Sequence, residues 1–129
     1  MTTAREIADS SPELKANISY VDQQFYKKIT SINQQSGTSY TAVLLDQDKL
    51  VELSNTNAIT FTVPPNASVA FPIGASINIL QTNIGQVTVV GGSGVTVNSA
   101  NGLKLRTQWS GASLTKRSEN VWIMIGDSS

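Results

Sequence analysis

The feature that most constrains the fold is a series of short apolar or alternating segments, separated by turn residues, that fills the chain from Tyr40 onward. In the clearest of them Ile59, Phe61 and Val63 alternate with threonines, which is the period of a half-buried strand. The predicted strands are 40–45, 50–53, 59–63, 69–71, 77–80, 87–90, 95–97, 103–105, 113–117 and 121–125. Turn signals at intervals of about 8–12 residues are typical of an antiparallel β-sandwich or barrel, and that is the predicted fold.

The N-terminal region has a different pattern, with apolar side chains that recur every three or four residues. These side chains are Leu14, Ile18, Val21, Phe25, Ile29 and Ile32. The spacing predicts an amphipathic helix, which Ser10 and Pro12 begin and Gly37 ends. The sequence therefore predicts a short helical arm at 1–37, for anchoring or oligomerisation, followed by a β domain at 38–129.

The partner of this helix is left open by the sequence. A helix of this length is marginal in water, so its apolar stripe must pack on another surface. Ile18, Phe25 and Ile32 at heptad position a, with Leu14 and Val21 at d, form an incomplete seam. The stripe can pack on the chain's own β domain, or it can associate with other copies.

Composition excludes several classes of function. Nine basic and nine acidic side chains cancel, so no net charge favours nucleic acid or an anionic membrane. The chain has no Cys and no His, which removes thiolate zinc sites, cysteine nucleophiles and the commonest general base. No signal peptide or membrane span is recognised, so we expect synthesis in the cytoplasm without secretion. We expect no enzyme activity, no cofactor and no metal.

Three acidic residues lie close together in the sequence, at Asp46, Asp48 and Glu52. They lack the glycine and the twelfth-position glutamate of a calcium-binding loop. Asp and Asn favour tight turns, so we interpret Asp46 and Asp48 as a solvated hairpin turn between two strands.

A glycine-rich run and a set of basic residues are also interpreted as structural. The run 91–94 (GGSG) predicts a hairpin whose arms contain Val87 and Val89 on one side and Val95 and Val97 on the other. A set of basic residues near the C-terminal end is predicted to be solvated or to contact another subunit. These residues are Lys104, Arg106, Lys116 and Arg117.

The tryptophans receive different predictions. Trp122 lies in the apolar segment 121–125 and is expected in the core or an interface. Trp109 lies outside the predicted strands, so it is a candidate for an exposed surface that stacks on a sugar.

Several β segments resemble a domain found in virion proteins of tailed bacteriophages. The resemblance is carried by 50–53 (LVEL), 59–66 (ITFTVPPN), 69–74 (VAFPIG), 85–89 (GQVTV), 94–99 (GVTVNS) and 122–127 (WIMIGD). It covers roughly residues 38–127.

The resemblance implies a structural, non-enzymatic protein of the virion, often trimeric. Such domains occur at the ends of tail fibres and in small proteins that decorate heads, so the expected partners are other copies of the chain and capsid or other virion proteins. The short region before the β domain favours a capsid decoration or head-fibre protein. A tail-fibre or tail accessory protein that binds a host surface glycan is the alternative.

Overall fold

The computed structural model describes residues 32–129, which form nine β-strands and one 3-10 turn. The strands are β1 (Ile32–Gln35), β2 (Ser39–Thr41), β3 (Leu50–Leu53), β4 (Ile59–Val63), β5 (Ser76–Gln81), β6 (Val87–Gly91), β7 (Thr96–Asn98), β8 (Gly111–Ser118) and β9 (Val121–Gly126), and the 3-10 turn is Leu44–Asp46. The prediction of a mainly β domain is confirmed. The predicted helical arm, apart from its last residues, lies outside the described residues.

Strands β1 to β7 alternate between two sheets, and β8 and β9 stay in the same sheet as β7. The larger sheet has six strands in the order β1-β3-β5-β8-β9-β7, and the smaller has three in the order β2-β4-β6. The pairs β1–β3, β3–β5, β2–β4 and β4–β6 are all parallel. The first six strands therefore wind as coils of a solenoid, and each coil adds one strand to each of the two sheets. The predicted antiparallel sandwich or barrel is wrong for this part of the chain.

The error has a physical reason. Alternation of apolar and polar residues identifies the buried face of a strand but does not identify its neighbour. The connections after β1, β3 and β5 carry the chain across to the other sheet instead of reversing it. Each strand consequently pairs with the strand one coil later, because a parallel pair needs a crossover and here the crossover contains a strand of the opposite sheet.

Antiparallel pairing occurs at the C-terminal end of the solenoid. Strands β8 and β9 form a hairpin whose first arm pairs with β5. The expected hairpin around the glycine loop is absent from these residues, because β7 runs parallel to β9 in the six-stranded sheet and does not pair with β6. The loop is a turn between the two sheets, in which Gly94 has a φ of 76° and Val95 N donates to Gly92 O at 3.0 Å.

A single apolar core fills the space between the sheets. Val51, Leu53, Ile77 and Ile79 face it from the six-stranded sheet. The smaller sheet contributes Ile59, Phe61 and Val63 of β4 and Val87 and Val89 of β6, so the predicted inward set of β4 is confirmed. Burial of these aliphatic and aromatic side chains, at about 1.5–3 kcal/mol each, is the main stabilising contribution to the coils.

Two predicted strands have other structures. Residues 69–71 lie in a loop, where Phe71 packs edge-on against Trp122 with ring centroids 5.4 Å apart. The prediction of a core position for Trp122 is confirmed, since only 1% of it is exposed. Residues 103–105 make isolated bridges, which pair Lys104 with Thr88 and Leu105 with Ser128.

The β domain begins earlier than the predicted boundary at residue 38. Ile32 pairs with Leu50 in strand β1, so its predicted position in the helical stripe is wrong. Asn33, Gln34 and Gln35, which fall within the predicted helical arm, continue the same strand. Gln34 bonds to the next coil, because its Nε2 donates to Glu52 Oε1 at 3.1 Å, whereas Gln35 Nε2 donates to Asn33 Oδ1 within the strand at 2.7 Å.

Candidate functional site

A groove of about 540 Å³ lies where the parallel strands β1, β3 and β5 end. Its lining residues are Gln34, Gln35, Ser36, Glu52, Ser54, Thr82 and Trp109. Polar side chains and one large aromatic ring therefore share one concave surface. The volume lies within the range of about 300–1,000 Å³ that is usual for small-molecule sites.

One wall of the groove is a row of hydroxyl groups. Ser36, Ser54 and Thr82 directly follow the paired strand residues Gln35, Leu53 and Gln81. The backbone ladder continues through them, because Ser54 N donates to Gln35 O at 2.9 Å and Thr82 N donates to Leu53 O at 3.0 Å. The three hydroxyls thus repeat from one coil to the next, and we call this set the hydroxyl row.

Asparagine amides support the hydroxyl row from the following position of the coil. Asn55 Nδ2 donates to Ser36 O at 2.8 Å, and Asn83 Nδ2 lies 3.5 Å from Ser54 Oγ. Each amide reaches back to the previous coil, so it fixes the height of one coil above another.

Trp109 also lines the groove, in a turn beside Gln81 and with an unusual backbone conformation. Its φ is 73°, which a bulky residue rarely adopts, and 66% of the residue is exposed. The strained turn is held by Gln81, whose carbonyl accepts from Trp109 N at 2.7 Å and whose N–H donates to Ser110 O at 3.0 Å. Strain of this kind, of about 1–3 kcal/mol, persists only where the surroundings determine the conformation, and it concentrates at functional sites.

An ion pair beneath the turn completes its support. Arg106 binds Asp127 through two hydrogen bonds, Nε to Oδ1 at 2.8 Å and Nη2 to Oδ2 at 3.0 Å. Ser110 Oγ also donates to Asp127 Oδ2 at 2.7 Å, and it accepts from Thr107 N at 3.1 Å. These bonds hold the pKa of Asp127 below its ordinary value and raise the pKa of Arg106. Residues 106–110 are therefore fixed at both ends.

Glu52 is the single charged residue among those that line the groove. Its Oε1 accepts from Gln34 Nε2 at 3.1 Å, and its Oε2 has no hydrogen-bond partner among residues 32–129. The groove consequently offers Glu52 Oε2, the hydroxyl oxygens and the amide oxygens of Gln34 and Gln35 to a ligand. The amide nitrogen of Gln35 already donates to Asn33 Oδ1 at 2.7 Å, and Thr82 Oγ1 already donates to Leu53 O at 3.3 Å.

The other carboxylates of the predicted turn have different surroundings. Asp46 is only 1% exposed and accepts hydrogen bonds from Asn33 Nδ2 at 2.8 Å, Tyr40 Oη at 2.7 Å and Val43 N at 3.0 Å. Burial, together with the Asp46 carboxylate, raises the pKa of Tyr40 to about 12. The predicted solvated hairpin is wrong, because this segment crosses from one sheet to the other. Within it, the buried Asp46 carboxylate connects β1 and β2 by accepting hydrogen bonds from Asn33 and Tyr40.

The basic set is also divided. Lys116 is buried at 2% exposure, and its Nζ donates to Asn66 Oδ1 at 2.6 Å and to Phe71 O at 2.8 Å. The prediction that Lys116 is solvated or contacts another subunit is wrong, because the side chain lies on the inner face of β8 and holds the loop before β5. Lys104, Arg106 and Arg117 are exposed.

The structure brings together only part of the predicted site. Trp109 is exposed and lines the groove, whereas Leu14, Ile18, Val21, Phe25 and Ile29 lie outside the described residues. Ile32 is 54% exposed at the start of β1. Gln34 and the hydroxyl row are not predicted from the sequence, and Glu52 is predicted only as a member of the acidic cluster with Asp46 and Asp48. A signal for the row was present, since an apolar or Gln residue, then Ser or Thr, then Asn, occurs at both 53–55 and 81–83.

Within residues 32–129, no group of three or more His, Cys, Asp or Glu side chains is placed to hold a metal ion. The same residues contain no helix long and apolar enough to cross a membrane. Comparison of the chain with protein-family models, curated proteins and solved structures finds no match.

Lowering the pH is expected to release the Trp109 turn. Because the folded-state pKa of Asp127 is lowered, its stabilisation of the turn is complete above the ordinary value of 3.8 and is lost as the pH falls through the lower folded-state value. Fluorescence anisotropy reports this change, since Trp109 is exposed and the other tryptophan, Trp122, is buried. We expect the anisotropy of Trp109 to decrease in acid.

The control is Asp127→Asn, which removes the charge but keeps the size of the side chain. It is expected to show the mobile Trp109 signal already at neutral pH and no further change in acid. Constant anisotropy through the acid titration of the unmodified chain, with circular dichroism showing that the strands remain folded, contradicts the prediction.

Proposed function

We propose that this chain is a structural protein of a tailed-phage particle, and that its β domain is displayed on the particle surface to bind a ligand. Within this proposal it is a capsid decoration or head-fibre protein, attached to the shell by its N-terminal arm. The observation that carries the binding role is the exposed, strained Trp109 among the residues that line a polar groove. The resemblance of the β segments to tailed-phage virion domains supports the placement on a virion.

The proposal is for binding and not for catalysis. Glycoside hydrolysis generally needs two carboxyl groups about 5–9.5 Å apart across the scissile bond. The groove residues include one carboxylate, Glu52, and its Oε1 is bonded to Gln34. The hydroxyl row, Trp109 and Glu52 form a surface that contacts a ligand without a second acid or base.

A second candidate is a tail-fibre or tail accessory protein that recognises the host. The same groove favours it, because an exposed aromatic ring beside hydroxyls and amides suits a receptor-binding tip. The two candidates differ in the position of the protein on the particle. Association into a trimer stays a prediction for both.

Immunogold labelling of intact virions with an antibody to this chain tests the placement. We expect label distributed over the head. Label confined to the tail end overturns the decoration proposal in favour of the second candidate, and particles without label contradict both. Particles that lack the chain provide the control for nonspecific binding of the antibody.

A further inference from the structure

We propose that the groove binds an uncharged glycan, with one pyranose ring stacked on Trp109 and neighbouring hydroxyls bonded by the hydroxyl row and Glu52. This inference rests on the proposed function, since it names the ligand class of the same site. Three features of the groove support it: the exposed ring of Trp109, the repeat of the hydroxyl row and the single charge of Glu52.

The indole provides the apolar contact that a sugar needs. A pyranose ring presents a face of C–H groups, which packs on a flat aromatic surface while the hydroxyls at the ring edge remain free to form hydrogen bonds. With 66% of its surface exposed, Trp109 offers such a face within the groove.

The platform is also held in place before the ligand arrives. Gln81 binds the turn on both sides of the Trp109 peptide, and Asp127 binds Arg106 and Ser110. A ligand therefore orders few additional degrees of freedom on binding, which favours affinity. Trp109 does not contribute to the core, because most of its ring is exposed. A role as a binding platform explains both the exposure of the ring and the hydrogen bonds that hold its turn.

The hydroxyl row has a repeat that suits a linear polymer. Neighbouring strands lie about 4.8 Å apart, so Ser36, Ser54 and Thr82 recur at about that distance along the groove. This distance is similar to the length that one sugar residue adds to an extended glycan chain. Successive sugars can thus meet equivalent hydroxyl groups on successive coils, which is a reason to infer an oligosaccharide in place of a single sugar.

Charge selects between classes of glycan. Glu52 gives the groove a single negative charge, and its Oε2, which has no hydrogen-bond partner among residues 32–129, can accept from a sugar hydroxyl. An acidic sugar placed there meets repulsion from this carboxylate, and no cation among the lining residues compensates for it. Neutral hexoses and N-acetylated hexosamines avoid this repulsion. Arg117 lines a separate groove of about 420 Å³, beside Asn98 and Ile123.

The test uses the full chain on an array of immobilised neutral and acidic oligosaccharides, followed by titration of each bound glycan in solution. We expect binding to be confined to uncharged glycans of several sugars. Trp109→Ala is expected to weaken binding at least tenfold, and Thr82→Val severalfold. Arg117→Ala is the matched control and is expected to leave binding unchanged.

A second variant separates loss of binding from loss of folding. Trp109→Gly removes the ring and also relieves the backbone strain, because glycine adopts a positive φ freely. It is expected to unfold at an equal or higher denaturant concentration than the unmodified chain while it loses binding. A stable Trp109→Gly protein that still binds the glycan overturns the inference.

The remaining outcomes distinguish this inference from the proposed function. Preferential binding of acidic glycans, or binding to host cells that protease treatment abolishes, overturns the ligand class but leaves a displayed binding protein in place. Absence of binding both to the array and to host cells overturns the inference and the binding role together.

Discussion

Replacing Gly85 with alanine is expected to destabilise the solenoid by about 3 kcal/mol or more, a large part of the 5–15 kcal/mol that is usual for a domain. A Cβ at Gly85 would lie 1.9 Å from Asn57 O and 2.4 Å from Asn55 O. Both atoms belong to the backbone of the previous coil, so rotation of a side chain cannot relieve the overlap. The coils must separate locally, which also weakens the hydrogen bond from Gly85 N to Asn55 O at 2.8 Å.

Urea unfolding followed by circular dichroism measures this effect. Gly37→Ala is the matched control, because its Cβ would meet Ser39 O at 3.6 Å, an ordinary contact. We expect that variant to unfold within about 0.5 kcal/mol of the unmodified chain, as surface substitutions generally do. A Gly85→Ala protein as stable as Gly37→Ala contradicts the close stacking of the coils at this turn.

Truncation of the buried Lys116 is the second large expected effect. Lys116→Ala removes both bonds of the ammonium group, to Asn66 Oδ1 and Phe71 O, and leaves a cavity beneath the loop. Unpaired buried acceptors destabilise by about 1–3 kcal/mol each, and the cavity adds to that loss. We expect a total of about 3–5 kcal/mol in urea unfolding.

Lys116→Met separates packing from hydrogen bonding, since it keeps most of the aliphatic stem. We expect a smaller loss of about 1–3 kcal/mol for it. Arg117→Ala, at the exposed neighbouring position, is the control and is expected to change stability little. Because burial of a charge is itself unfavourable, a Lys116→Met protein with unchanged stability would show that these bonds give no net stabilisation.

The sequence predicts the strands of this domain better than it predicts their arrangement. The bounds of β3 and β4 and the inward positions of Ile59, Phe61 and Val63 follow directly from local alternation. The partner of each strand does not follow, because the same pattern suits a hairpin and a coil. Which arrangement forms depends on whether a connection reverses the chain or crosses to the other sheet.

Individual polar residues show the same limit. Asp46 and Lys116 have the types expected at a surface, yet both are buried because partners distant in sequence satisfy them: Asn33 and Tyr40 in one case, Asn66 and Phe71 in the other. Trp109 could be selected from the sequence as a candidate, since it lies outside the apolar segments. The hydroxyl row could not be assembled without knowing that its members stack.

The stacking of the coils has a consequence for how such a surface changes over evolutionary time. Each coil contributes one strand to each sheet and one member to the row of Ser36, Ser54 and Thr82. Strands β8 and β9 follow the last coil. Duplication of a single coil would lengthen the proposed glycan-binding surface by about 4.8 Å and leave the Trp109 turn unchanged. The number of coils thus sets the reach of the surface, and the turn sets its anchoring point, so the two properties can vary independently.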